Sequence, residues 1–280
     1  MEHYLNENSI SRFKELLIEE EKCPATVEKY LRDLMRFART IGKTKCITKE
    51  TVVCYKQQLV REYTASTVNG MLASLNSFFK KMEWYDCIVR SLRVQRDAFR
   101  QKERELDRDE YYRLLQTARK RGDMRLYYLM ETIGSTGIRI SELPFITVEA
   151  VKMRRVRVAL KGKSRVVLLP ASLCGKLEKY IKENRLKKGS VFVTKSGKPV
   201  NRSNVFRMMK GLCEEAGVAR EKVFPHNLRH LFARIYYKVE KDIAHLADIL
   251  GHSSIETTRI YLMTSYEEQE KKIDRLELVL

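Results

Sequence analysis

Two apolar stripes at helical spacing constrain this chain more than any other feature. Val27, Tyr30, Leu31, Leu34, Phe37, Ala38 and Ile41 recur every three or four residues, with Gly42 as a stop. Val68, Met71, Leu72, Leu75, Phe78, Phe79 and Met82 repeat the period, with Ser66 read as the cap. A stripe covering one helix face must be buried against other helices. Amphipathic stretches around 9–20 and 49–62 supply them, so residues 1–87 are expected to form a four-helix module.

The outer positions of these helices carry Lys29, Arg32, Arg36, Arg39, Lys43, Lys45, Lys80 and Lys81. Any one of them is an ordinary solvated charge; as a set they suit a face that tracks phosphates. Residues 88–106 hold Arg90, Arg93, Arg96, Arg100, Lys102 and Arg104 around few apolar anchors and are read as a basic linker between domains. In total 55 Lys and Arg stand against 36 Asp and Glu, a formal charge of +19. A polyanion is the expected partner, because each phosphate neutralised releases a condensed counterion. No apolar run reaches membrane-spanning length and the first residues lack a signal peptide's pattern, so a soluble, cytoplasmic protein without a membrane partner is expected. Cys23, Cys46, Cys54, Cys87, Cys174 and Cys213 are scattered without a Cys-x-x-Cys pair or a histidine at ligand spacing, which predicts reduced thiols and no metal.

A second domain is expected over 107–280. Asp107-Arg108-Asp109-Glu110 reads as a cap with an acidic first turn, opening a helix to about Ala118. A helix over 124–134 leads to a turn at Gly134-Ser135-Thr136-Gly137, from which Arg139 emerges. The runs 156–160 and 165–169 favour strands, joined by the basic tip Lys161-Gly162-Lys163-Ser164. That tip copies the end of a nucleotide-binding P-loop, but Arg157 stands where the motif needs its first glycine and no helix follows, so nucleotide binding is rejected. Helices over 171–186 and 201–216, with a strand at 191–193 and a turn at 196–199 between them, complete the approach to residue 225.

The stretch 225–261 carries the chemistry. His226 and Arg229 lie three apart in a helical first turn, so both can address one phosphodiester. His252 projects from the loop after Gly251, which ends a helix over 243–250. Tyr261, nine residues on, carries an oxygen suited to forming a phosphate ester. Tyr236 and Tyr237 read as mid-helix packing, and His230 and His245 as structural residues of apolar helix patterns.

His226-x-x-Arg229, Leu250-Gly251-His252 and Tyr261, together with Thr136-Gly137-Ile138-Arg139-Ile140-Ser141-Glu142-Leu143 and Lys161-Gly162, resemble the signature of the tyrosine recombinases, the phage-integrase and Xer-like family. These matches, in the family's order and spread over more than a hundred residues, are far more specific than one motif. The resemblance is strong over 106–270 and only general before that. It implies a mainly α fold with a small β-sheet in the catalytic domain, preceded by a four-helix SAM-like core-binding domain that clamps DNA.

The resemblance also implies a catalytic set of Arg139, Lys161, His226, Arg229, His252 and Tyr261. Guanidiniums give planar, permanently charged donors, so Arg139 and Arg229 are suited to clamp the two non-bridging phosphate oxygens. His252 adds a donor, and His226 assists proton movement at the tyrosine. By resemblance, Tyr261 attacks to give a 3′-phosphotyrosyl link and a free 5′ hydroxyl, protonated by Lys161, with Lys163 the competing candidate. Glu142 is read as a buttress for Arg139 or for a helix start. The ester retains the bond energy, so no cofactor, ATP or metal is expected. The implied partner is double-stranded DNA, bound as a homotetramer on paired sites that passes through a Holliday junction. The length suggests a simple-site enzyme without an arm-binding domain. The tail 267–280, with Ile273, Leu276, Val279 and Leu280 among charges, packs on its own domain or docks in a neighbouring protomer, the latter slightly favoured. A type IB topoisomerase-like enzyme and an inactive DNA-binding regulator of the same fold remain the alternatives.

Overall fold

The computed structural model describes residues 2–42, 45–94, 104–160, 163–252, 254–259, 261, 270 and 273–276. The chain forms two compact units, residues 1–96 and 97–280.

In the first unit a short strand β1 (His3–Tyr4) pairs antiparallel with β2 (Cys46–Ile47), a pairing that two-residue strands do not announce in sequence. Four helices follow the predicted plan: α1 (Glu7–Glu19), α2 (Pro24–Thr40), α3 (Lys49–Glu62) and α4 (Ala65–Lys81). Asn6 and Thr48 cap α1 and α3 with reciprocal side-chain bonds, a device worth about 1 kcal/mol per helix. Ser66 is not a cap: α4 begins one residue earlier, after Thr64, so Ser66 lies in the first turn. Both apolar stripes face inward, with Leu34, Phe37, Leu72, Leu75, Phe78 and Phe79 fully buried.

Lys29 differs from its reading as a solvent-facing charge. Its Nζ donates to Asp33 Oδ2 (2.7 Å), the Gly70 carbonyl (2.9 Å) and Ser74 Oγ (3.0 Å), tying α2 to α4. The start of the basic segment is also fastened down. Asn69 and Asn76 stand two turns apart on one face of α4; their side-chain amides each make a donor–acceptor pair with the backbone, at Leu92 and Val89 respectively. Lys43, Arg96, Arg100 and Lys102 lie outside the described residues.

The second unit opens with Asp107 capping α5 (Arg108–Lys120) through a capping box with Glu110, as the sequence predicts. Helix α6 (Met124–Thr136) runs two residues further than expected. Gly134 is helical and not a turn; its missing Cβ leaves room for Tyr111, whose hydroxyl would otherwise lie 2.7 Å away. After a 3-10 turn over Ile140–Phe145 and α7 (Val148–Lys152), β3 (Arg155–Leu160) and β4 (Lys163–Leu168) form the expected antiparallel pair. Helix α8 (Ala171–Glu183) follows. The expected strand at 191–193 makes only isolated bridges, and α9 (Arg202–Lys210) ends six residues before 216, giving way to turns at Gly211. Helices α10 (Pro225–Glu240), α11 (Ile243–Leu250) and α12 (Ile255–Arg259) carry the last segment. Among the described residues no helix is long and apolar enough to cross a membrane.

Candidate functional site

The site in the second unit is organised by where α6 and α11 stop. Gly137 and Gly251 cap them in the left-handed conformation (φ 63° and 64°), which a Cβ disfavours. Gly137 also has no room for a side chain, since a Cβ there would lie 2.4 Å from Phe232 of α10 and 2.9 Å from Leu250 of α11. Three helices therefore converge on this glycine, and carbonyls at the ends of α6 and α11 point into one small volume.

Arg229, on α10, occupies that volume with 1% of its surface exposed. Its Nη1 donates to the Gly137 carbonyl (2.5 Å) and its Nη2 to the Leu250 carbonyl (2.7 Å) and His252 Nε2 (2.9 Å). Burial, then the positive charge of Arg139, pulls its pKa down to about 10, with Tyr261 acting in the opposite sense through a hydrogen bond. The guanidinium stays charged at neutral pH.

Arg139 follows the α6 cap in extended conformation. Its Nη1 donates to Glu142 Oε1 (2.9 Å) and its Nη2 to the Gly251 carbonyl (2.9 Å), while Glu142 Oε2 accepts from the Arg139 backbone N–H (2.9 Å). Glu142 is the buttress the sequence suggests. Burial raises its pKa, but the Arg139 N–H, Arg165 and the Arg139 side chain outweigh that, and the net shift is downward.

Arg165 of β4 was absent from the expected set. Its Nη2 donates to Glu142 Oε2 (2.6 Å) and its Nη1 to the Ile249 carbonyl. Its stem packs so closely that a Cβ on Gly251 would meet Arg165 Cδ at 2.3 Å. A signal for it existed in the strand: Arg165 is in phase with Val167 and Leu169, both buried, so it points inward.

Three aromatic rings and a tyrosine close the site. Tyr261, 4% exposed, lies 5.5 Å from the His252 ring and stacked on it, 6.1 Å from His226 and 4.3 Å edge-on from His230. His230, read as structural, is thus the histidine nearest the tyrosine ring and also meets His226 at 4.6 Å. His245, the other one so read, is exposed and pairs with the Tyr236 hydroxyl (3.2 Å). Burial, then Arg229 and Arg139, lowers the pKa of His252 to about 4. The same causes lower that of His226, although its ring remains exposed and water screens much of the effect.

Arg139, His226, Arg229, His252 and Tyr261 therefore come together from segments more than a hundred residues apart. Lys161 lies outside the described residues, as does the side chain of Lys163. Arg139 and Arg165 pair with one carboxylate, Glu142, whereas Arg229 pairs with none among the described residues; burial, and then this positive charge, lowers the pKa of His252 and His226. Such a site suits an anion. The only His, Cys, Asp and Glu side chains among the described residues close enough to share a cation, His3, Asp86 and Cys87, belong to the first unit. The 2.8 Å hydrogen bond between His3 and Asp86, with His3 stacked on Trp84, accounts for that approach.

The sequence profile of the phage integrase family matches residues 104–268, more than half of the chain. The chain belongs to the phage integrase family. The profile of that family's N-terminal SAM-like domain matches residues 10–84, the four-helix unit. Tyrosine recombinase XerC of Roseiflexus castenholzii is 29% identical over 94% of this chain and 90% of its own length. Tyrosine recombinase XerH of Campylobacter jejuni is 34% identical over 55% of this chain and 45% of its own length. Two solved structures share the fold. A lambda integrase tetramer bound to a Holliday junction superposes with a TM-score of 0.73 at 18% identity, covering 91% of this chain and 76% of that one. A post-cleavage complex of XerH on a palindromic difH substrate gives 0.72 at 18% identity, covering 98% and 90%.

Proposed function

We propose that this integrase-family chain, a site-specific tyrosine recombinase, cuts and rejoins duplex DNA through Tyr261. The hydroxyl of Tyr261 attacks the scissile phosphorus. The Tyr261 oxygen–phosphorus bond forms and the bond to the 5′ oxygen breaks, leaving a 3′-phosphotyrosyl ester. Arg139 and Arg229 hold the two non-bridging oxygens, His252 gives a third donor, and His226 accepts or relays the tyrosine proton. Lys161, which follows β3 in the sequence, protonates the leaving oxygen. Attack by the freed 5′ hydroxyl of another strand reverses the step with no external energy source, because the ester conserves the bond.

The observation that carries this reading is the fully buried Arg229 beside Tyr261, with Arg139 and two imidazoles around them. A guanidinium buried beyond reach of a carboxylate is costly. It is a poor choice for packing and a good one for binding a phosphate. The chain works on duplex DNA in the cytoplasm as a homotetramer on paired sites, with the first unit binding DNA. Ile273 and Leu276, more than half exposed, suit a tail that docks on a neighbouring copy. Removal of residues after Ser265 is then expected to spare cleavage at a single site and to abolish assembly and recombination.

The test uses nicked suicide duplexes drawn from the DNA flanking this chain's gene, incubated with wild type and Tyr261→Phe, and read on a denaturing gel. Protein attached by wild type alone supports the reading. Tight binding by both with attachment by neither would move the chain to a DNA-binding regulator.

A further inference from the structure

His252 is held at both ring nitrogens. Arg229 Nη2 lies 2.9 Å from Nε2, and Thr258 Oγ1 lies 2.8 Å from Nδ1. A guanidinium can only donate, so Nε2 is the acceptor, and the neutral ring must carry its proton on Nδ1 and donate it to the threonine hydroxyl. Thr258 is fully buried on α12, three residues before Tyr261, whereas its neighbour Thr257 is exposed. No spacing in the sequence separates these two threonines.

In this state His252 has no hydrogen at Nε2 to offer a phosphate. When a phosphoryl oxygen takes over the Arg229 donor, Nε2 loses its partner and must itself become an N–H to contribute. That requires Nδ1 to turn from donor to acceptor, or both nitrogens to be protonated. A carbonyl or carboxylate at Nδ1 would fix the Nδ1–H form, and a methyl would leave the nitrogen buried and unpaired. A hydroxyl serves every case, because it accepts from Nδ1–H and, on rotating, donates to a bare Nδ1.

We propose that Thr258 is a positioning residue, holding the His252 ring in place and allowing its Nε2 to change from acceptor to donor when a phosphate enters. The inference rests on the phosphotyrosyl reading above for its purpose, but the hydrogen bond can be tested without it. The groups facing His252 are Arg229, Arg139, Arg165, His226 and Tyr261. Arg229 anchors the ring at Nε2. The hydroxyl of Thr258 is accordingly the ring's second anchor.

The experiment compares wild type, Thr258→Val and Thr258→Ser in two ways. Valine preserves the shape and removes the hydroxyl, while serine preserves the hydroxyl and removes the methyl. First, nitrogen NMR of the free protein labelled in its histidines reports which nitrogen of His252 is protonated and whether that proton is protected from exchange with solvent, with the signal assigned through His252→Gln. Second, single-turnover attachment to the nicked suicide duplexes is measured alongside binding of the same DNA.

Wild type and serine are expected to show an Nδ1–H protected from exchange with solvent; valine is expected to keep that tautomer, because Arg229 still donates to Nε2, but to lose the protection with the hydrogen bond. Attachment by valine is expected to fall roughly tenfold to a hundredfold, the cost of one unpaired buried nitrogen, with DNA binding unchanged. Serine is expected to restore it. A valine variant with wild-type protection of the Nδ1 proton and the wild-type attachment rate would overturn the proposal. So would a serine variant as impaired as valine, which would assign the effect to packing of the methyl. If wild type attaches to no duplex, the recombinase reading fails, and the NMR comparison alone decides whether the Thr258 hydroxyl holds the ring at Nδ1.

Discussion

Replacing Glu142 with glutamine removes one negative charge from the centre of the site, and the structure says where the cost falls. The carboxylate is 3% exposed and accepts three hydrogen bonds: from the Arg139 backbone N–H, the Arg139 side chain and Arg165. An amide offers one oxygen and one NH2, so in either orientation a donor faces a donor. The side chain of Arg139 is 37% exposed and its ion pair is screened by water; that of Arg165 is 13% exposed and is left with a stranded charge. The loss is therefore assigned mainly to Arg165 and amounts to about 3–5 kcal/mol, the range for breaking one side of a buried pair. Urea unfolding followed by circular dichroism measures it. Trp84, the single tryptophan, reports the first unit, so its fluorescence transition is expected not to move. Arg165→Met in the Glu142→Gln background removes the stranded charge and is expected to recover most of the loss. A Glu142→Gln effect below about 1 kcal/mol, or a double variant in which the two losses simply add, would refute the assignment.

Further outcomes follow from the same geometry. Gly137→Ala combines a left-handed backbone with collisions at Phe232 and Leu250, whereas Gly122→Ala has a φ of 71° but nothing within 4 Å. Denaturation is expected to show a loss of about 2–4 kcal/mol for the first and about 1 kcal/mol for the second. His252 has its folded pKa lowered from 6.5 to about 4. The unfolded chain therefore takes up the proton first as pH falls; its stabilising contribution is complete above pH 6.5 and is lost on the way down to 4, roughly 3 kcal/mol in all. Stability of His252→Gln measured between those limits is expected to fall less steeply than that of wild type. Ser74→Ala takes from the buried Asp33 one of two donors at 2.7 Å, leaving Lys29, and is expected to cost about 1 kcal/mol in the Trp84-monitored transition.

The parts of this molecule that were legible in sequence are those fixed by local rules. The stripes through Phe37 and Phe79, the caps at Asp107 and Gly251, and the hairpin of β3 and β4 each follow from periodicity or from one residue's backbone preference. The convergence of Arg139, Arg229, His252 and Tyr261 was legible only as a set of motifs, since spacing along the chain says nothing about distance across it. The misreadings share a cause. Lys29 looks solvent-facing on a helical wheel until Gly70 and Ser74 arrive from another helix to receive its protons. Gly134 looks like a turn until Tyr111 fills the space beside it. His230 looks like core until Tyr261 is folded onto it. In each case a partner distant in sequence decides the residue's role, and local pattern carries no information about that partner.

The same long-range partners explain how the site can hold buried cations while it waits for a substrate. Arg229 is bound by the carbonyls of Gly137 and Leu250, Arg139 by that of Gly251, and Arg165 by that of Ile249. All four lie where α6 or α11 ends. Carbonyls at a helix C-terminus have no partner within the helix and carry its negative partial charge, so they stabilise a neighbouring cation without a carboxylate. A carboxylate in those places would neutralise the guanidiniums and compete with a phosphate as an ion. Carbonyls satisfy the N–H groups yet leave the net charge intact, and that charge adds to burial in lowering the pKa of His252. The left-handed glycines at 137 and 251 thus do more than end two helices. By turning the chain sharply they expose the last carbonyls to the arginines, and so keep the site both folded and positively charged.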